Sequence, residues 1–171
     1  MNGTILSLLF GVSLLSGALA APLSDMFEGR NLFEFIMGEY RYRKDDGWAH
    51  TGDIAENFKG VDFYRDFVEI NNVITVKTAV SMKTTIVMDV NAWLNSKPIQ
   101  DNIKFLKEGL GENIKSNGKR MKILETAKID IYMPRENITS ELLNSWSDKL
   151  LDVTKSTGIE FEIHSLEKFI K

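Results

Sequence analysis

Apolar positions along the chain change period several times, and each change marks a predicted element. VDFYRDFVEI and VITVKTAVS, on either side of Asn71-Asn72, are rich in β-branched and aromatic residues. Asparagine tolerates positive φ, so the pair predicts a hairpin turn between two strands. TTIVMDV predicts a third strand. Upstream, LSDMFEGRNLFEFIMGEY places Leu32, Phe35, Ile36 and Tyr40 near helical spacing. The charged and small residues of Arg41 to Lys59 predict a loop. PIQDNIKFLKEGLGENIKSNG carries Ile99, Ile103, Leu106 and Leu110 on one helical stripe and stops at Asn117-Gly118. MKILETAKIDIYMP predicts a strand ended by Pro134. SELLNSWSDKLLDVTKSTG predicts a helix with Leu142, Leu143, Trp146, Leu150 and Val153 inward and Gly158 as its stop. IEFEIHSL closes as an alternating strand. The predicted order is α-β-β-β-α-β-α-β, an α/β fold with a mixed sheet and helices packed against it.

The first twenty residues, MNGTILSLLFGVSLLSGALA, read differently. A short uncharged apolar run ends in small residues, which predicts a secretory signal peptide over residues 1–20, cut near Ala20. Residues 21–171 then form one domain, secreted, with no later segment approaching the ~20 apolar residues of a membrane span. The chain has no cysteine. That excludes a thiol nucleophile, a Cys-bound zinc and disulfide support, so stability rests on the core. A net charge of −3 argues against gripping nucleic acid by bulk charge, and any phosphate contact must come from a local patch. Asn137-Ile138-Thr139 is a sequon for N-glycosylation.

There is no G-x-S-x-G, no Gly-rich phosphate loop, and His50 and His164 are the only histidines. A Ser-His-Asp triad or a His-rich metal centre has too little material. Carboxylates and lysine remain. Hydrolysis of a phosphodiester is served by a divalent cation on hard oxygen ligands and by a cation that offsets developing charge. Two adjacent strands could supply Asp62, Thr75 and Lys77, and the preceding helix Glu34. On spacing alone a solvated strand face explains the same residues.

GRNLFEFIMGEY, ENFKGVDFY and VITVKT resemble successive segments of a nuclease domain found at the C-termini of CdiA-type contact-dependent growth-inhibition toxins. Gly29, Phe33 and Glu34 fit the first segment. Asn57, Phe58, Lys59, Asp62 and Phe63 fit the second, and Val76, Lys77 and Thr78 fit a Ser-Val-Lys-Thr strand. The similarity continues through KIDIYMPRENITSELLNSW and GIEFEI. These domains belong to the PD-(D/E)xK superfamily. The resemblance therefore implies a restriction-endonuclease-like mixed β-sheet flanked by helices. Together with the predicted signal peptide it implies a secreted toxin that cuts DNA or tRNA, and by position it implies Glu34 and Asp62 as metal ligands, Asp66 in reserve and Lys77 as the catalytic lysine. Thr75 stands at the family's Ser and keeps the hydroxyl. The implied cofactor is Mg²⁺ or Mn²⁺, with Zn²⁺ a further option. The implied partners are a nucleic-acid substrate and an inhibitor or immunity protein, the toxin itself being a monomer.

Basic residues Lys115, Lys119, Arg120 and Lys122 cluster around Asn117-Gly118, and Lys83 is placed to lie near the site. Trp48 and His50, in the loop before the Asp62 strand, are candidates for base contact. Two other readings compete with the nuclease: a nuclease-fold protein that binds without cutting, and a secreted lipid-binding β-barrel suggested by the meander-like run from Val68 to Val90.

Overall fold

The computed structural model describes residues 32–166. The expected signal peptide and Gly29 lie outside these residues. Helix α1 (Leu32–Tyr40) is followed by a short strand β1 (Trp48–His50) within the predicted loop, then by the hairpin β2 (Phe63–Ile70) and β3 (Val73–Thr84). Helices α2 (Val90–Leu94) and α3 (Lys97–Gly111) lead to β4 (Ile114–Ser116) and the long β5 (Lys119–Met133). Helix α4 (Ser140–Thr157) and β6 (Ile159–Ser165) complete the order.

The result is a six-stranded mixed sheet in the order β1-β2-β3-β5-β4, with β6 also on β5. The β1/β2, β2/β3 and β4/β5 pairs are antiparallel, whereas β3/β5 and β5/β6 are parallel. Parallel neighbours need long crossovers, and α2, α3 and α4 lie within them. Those helices cover one face, where Trp93, Ile103, Leu106 and Trp146 meet Ile123, Ile129 and Ile131. The other face carries Phe63, Val80, Met82 and Tyr132 against Met37 and Tyr42. Helices thus flank the sheet on both sides, as expected for an α/β protein. The strand order does not close on itself and one face is filled by helices, which leaves no lumen for a lipid-carrying barrel.

Three elements differ from the sequence reading. TTIVMDV is not a third strand: β3 runs on to Thr84, residues 85–89 are irregular, and α2 begins at Val90. Asp89 caps α2 by accepting from the Asn91 N–H at 3.1 Å, and Met88 O accepts from Trp146 Nε1 at 2.8 Å. These bonds draw an apolar run out of the ladder. The helix expected to reach Gly118 ends at Gly111, and residues 114–116 instead pair with 119–121 across Asn117-Gly118. In α1 the deeply buried residue is Met37, not the predicted stripe, and Tyr40 at its end is exposed. Phe33, one turn before Met37, packs its ring edge against Tyr132 at 5.0 Å.

Candidate active site

Asn71 and Asn72 both have positive φ (51° and 65°), the backbone of a two-residue hairpin turn. With Ile70 opposite Val73, the pairing runs back to Phe63 opposite Val80. Asp62 comes next, at the point where the ladder ends. Its N–H donates to Val80 O at 2.8 Å, and its carboxylate Oδ2 accepts from the Met82 N–H at 2.7 Å. Asp62 therefore caps the strand end and lies beside the segment Ser81-Met82-Lys83.

The loop entering β2 is held from α3. Asn102 Nδ2 donates to Gly60 O at 3.2 Å, and Asn102 Oδ1 accepts from the buried Ser81 hydroxyl at 2.8 Å. Gly60 has φ +79°, and a Cβ there would stand 2.6 Å from Phe105 Cβ, so the close approach of α3 to this loop requires glycine.

Glu34, from the first turn of α1, completes the group. Its Oε1 is 2.7 Å from His50 Nε2. His50 Nδ1 accepts from the Gly52 N–H at 2.9 Å, so the ring proton sits on Nε2 and is donated to Glu34. Next along the chain, Thr51 N–H donates to Asp62 O at 2.9 Å, and its hydroxyl donates to Val61 O at 2.7 Å. Burial, first, and the nearby Glu34 carboxylate, second, raise the Asp62 pKa from 3.8 to about 6. The Met82 N–H and Lys83 pull in the opposite direction. A buried carboxylate with a second one near enough to raise its pKa forms a place where positive charge is wanted.

The structure brings Glu34 and Lys83 near enough to Asp62 for their charges to act on it. It does not bring Thr75, Lys77 or Asp66. The Asn71-Asn72 turn sets Thr75 opposite Val68 and leaves Asp62 level with Ser81. Lys77 is exposed and four residues before Ser81, roughly 14 Å along the strand at ~3.4 Å per residue. Asp66 is exposed at a kink with φ 56°, its Oδ2 3.7 Å from Arg65 Nε. Ser81-Met82-Lys83-Thr84 is a second match to the Ser-Val-Lys-Thr pattern, with serine where Val73-containing VITVKT has threonine. Counting outward from the expected turn, 70 against 73 and so 62 against 81, was the signal that picks it out.

The candidate nucleic-acid contacts scatter. His50 is 4% exposed and bonded to Glu34, so its ring offers no surface to a base. Trp48 lies under the Arg65 guanidinium, 4.7 Å from the ring centroid, and meets Tyr42 edge-on. A cavity of about 210 Å³ beside them is lined by Glu39 and Asp53 together with Lys44, so its wall carries both signs of charge and no basic cluster for phosphate. Lys119 pairs with Glu69 at 2.7 Å. Arg120 pairs with Val73, eight strand residues or roughly 27 Å from Ser81. Lys83 is the member of that set beside the carboxylates.

A second polar cluster lies on β5 and β6. One ligand atom each from Asp130, Glu162 and His164 lies within 4.8 Å of the others, a spacing that could hold a cation. Their own contacts already balance charge there. Lys128 Nζ is 3.3 Å from Asp130 Oδ1 and 2.8 Å from Glu162 Oε1. Its hydrogen bond holds the Glu162 carboxyl below the ordinary carboxylate range. Arg41 Nη2 donates to His164 Nδ1 at 3.1 Å, which places the imidazole proton on Nε2, facing Asp130 Oδ1 at 3.3 Å. In that tautomer His164 presents an N–H where a metal would need a lone pair. Burial and the Asp130 carboxylate push the Tyr132 phenol far up.

No protein-family model matches the sequence, and no curated protein matches it. Among solved structures, a chain of a CdiA-CT/CdiI toxin and immunity complex from Yersinia pseudotuberculosis is similar, with a TM-score of 0.46 and 14% identity over 80% of this chain and 99% of that one. At that identity neither activity nor partner transfers. Among the described residues no helix is long and apolar enough to cross a membrane.

Proposed function

We propose that the protein is a secreted, metal-dependent nuclease of toxin type, with residues 1–20 as its signal peptide and residues 21–171 as one PD-(D/E)xK-like domain. The observation that carries this reading is the Glu34–Asp62 carboxylate pair with Lys83 beside it. The donor set suits a hard divalent ion: the pair raises the affinity of Asp62 for positive charge, and both ligands are oxygens. Glu34 and Asp62 would hold Mg²⁺ or Mn²⁺. His50 presents N–H to Glu34, so no imidazole lone pair favours Zn²⁺ at this position.

A bound divalent ion supplies Lewis-acid stabilisation of phosphoryl oxygens. The chain's own residues set the rest. Lys83, two residues beyond Ser81, brings a cationic side chain to where negative charge builds on the phosphoryl group. Ser81, fixed by Asn102, holds the strand at the height of Asp62. Asp62 stays anchored through Met82 N–H, so its carboxylate is oriented before substrate arrives. On this reading an inhibitor protein would protect the producing cell.

The test is incubation of the purified protein with supercoiled plasmid DNA and total tRNA, in EDTA or with Mg²⁺, Mn²⁺ or Zn²⁺, with Asp62→Asn as control. Metal-dependent cutting lost in the variant is the expected result. No cutting of either substrate under any condition, or cutting that survives EDTA and Asp62→Asn, rejects the reading.

A further inference from the structure

We propose that His50 is a positioning residue for Glu34, holding the metal-binding carboxylate in place through a single tautomer. The inference rests on the nuclease reading of the same site. Glu34 comes from α1, whereas Asp62 comes from the end of the β2/β3 hairpin, so their relative position is set by whatever ties the two elements together. His50 and Thr51 do so from adjacent positions. His50 pairs with Phe63 in the β1/β2 ladder, which fixes its backbone one residue from Asp62. Its ring packs edge-on against Phe63 at 5.0 Å, and the side chain is 4% exposed. Thr51, 3% exposed, holds the Asp62 carbonyl with its N–H at 2.9 Å.

The tautomer is dictated locally. Gly52 N–H lies in the short helical turn that His50 caps, and it donates to Nδ1. A ring nitrogen that accepts carries no proton, so Nε2 must carry it and can only donate toward Glu34 Oε1. One backbone N–H in a tight turn thereby orients a carboxylate supplied by another element. Outer partners of this kind are worth about 10–100-fold in metal affinity when removed.

The two halves of the contact can be separated. Asparagine places its Oδ1 near the position of Nδ1, so His50→Asn keeps an acceptor for Gly52 and removes the ring donor to Glu34. Glutamine places its Nε2 near the position of His Nε2, so His50→Gln keeps the donor to Glu34. Mn²⁺ affinity by calorimetry without substrate, melting curves, and ¹⁵N shifts of the His50 ring in the metal-free protein are measured for each form. The expected results are an Nε2–H tautomer in the unaltered protein, Mn²⁺ binding about 10–100-fold weaker in His50→Asn, and binding within a few-fold of normal in His50→Gln. Equal affinity in His50→Asn and the unaltered protein overturns the proposal, as does an equal loss in both variants, which would mark a purely structural role. If His50→Asn does not fold, the tautomer and His50→Gln decide: an Nδ1–H ring or full loss in His50→Gln overturns it, and Nε2–H with retained affinity supports it. An unaltered protein that binds no Mn²⁺ and cuts nothing overturns the nuclease reading together with this one, whereas normal binding unaffected by His50→Asn overturns this one alone.

Discussion

Asp62→Asn should make the metal-free protein more stable above pH 6 while removing its response to metal. Asparagine matches aspartate in shape, keeps an oxygen to accept from Met82 N–H, and replaces the negative charge with a neutral amide. The raised Asp62 pKa, 3.8 to about 6, sets the size. At about 1.4 kcal/mol for each tenfold change in proton affinity, the ionised carboxylate costs the folded state up to roughly 3 kcal/mol. Asp62 keeps some surface open to solvent, so the measured gain should fall below that ceiling. The sign follows from proton counting. Between pH 3.8 and about 6 the folded state retains a proton that the unfolded chain has released. Stability therefore falls as pH rises through that window and levels off above it. Below pH 3.8 Asp62 is protonated in both states and the variant has no advantage from this source. Urea melts in EDTA from pH 3.5 to 8 measure the difference directly. At about 2–4 °C per kcal/mol the variant should gain several degrees in Tm at pH 8. Added Mn²⁺ should raise the Tm of the unaltered protein and not of the variant. A variant that is no more stable at pH 8, or whose advantage does not change with pH, would refute the claim that burial and the Glu34 carboxylate together raise the Asp62 pKa.

The remaining predictions concern the lysines and the loop that carries Asp62. Lys83→Met should lower the cleavage rate by roughly 10²–10³ with little change in melting, because it removes charge from a partly exposed strand end. Lys77→Met should cut at the normal rate, and steady-state kinetics of the pair measures which lysine belongs to the site. Gly60→Ala should cost on the order of 2 kcal/mol or more in a urea melt, since a Cβ would meet Phe105 at 2.6 Å in a backbone with φ +79°. It should also reduce metal affinity by moving Asp62, whereas Gly118→Ala, at the same φ with open space around it, should show only the smaller backbone cost in stability.

Local chemistry determined most of the fold. Alternating β-branched and aromatic residues marked β2, β3, β5 and β6. The stripes Ile99-Ile103-Leu106 and Leu142-Trp146-Leu150 marked α3 and α4, and each of these residues is buried as the spacing requires, whereas Leu143, also expected inward, is exposed. Asn71-Asn72 went further, because a two-residue turn sets the register of the whole hairpin and so places Ser81, not Lys77, beside Asp62. That much was legible from turn chemistry and counting. The same local rules misjudged TTIVMDV, where apolar residues match a strand but Asp89 and Trp146 supply better partners for the backbone outside the sheet.

Only the tertiary structure decided how Glu34 and His50 reach the end of that hairpin. Neither has a periodic signature: His50 reads as one polar residue in a charged loop, and Glu34 as one acid on a short helix. Their contact spans elements whose mutual position is set by the packing of Met37, Tyr42 and Phe63 on one face of the sheet. Spacing along the chain can report a register or a helical face, because those follow from backbone geometry over a few residues. A carboxylate pair assembled across a helix, a tight turn and a strand end depends on how the faces of the sheet are filled, and that is a property of the packed core as a whole.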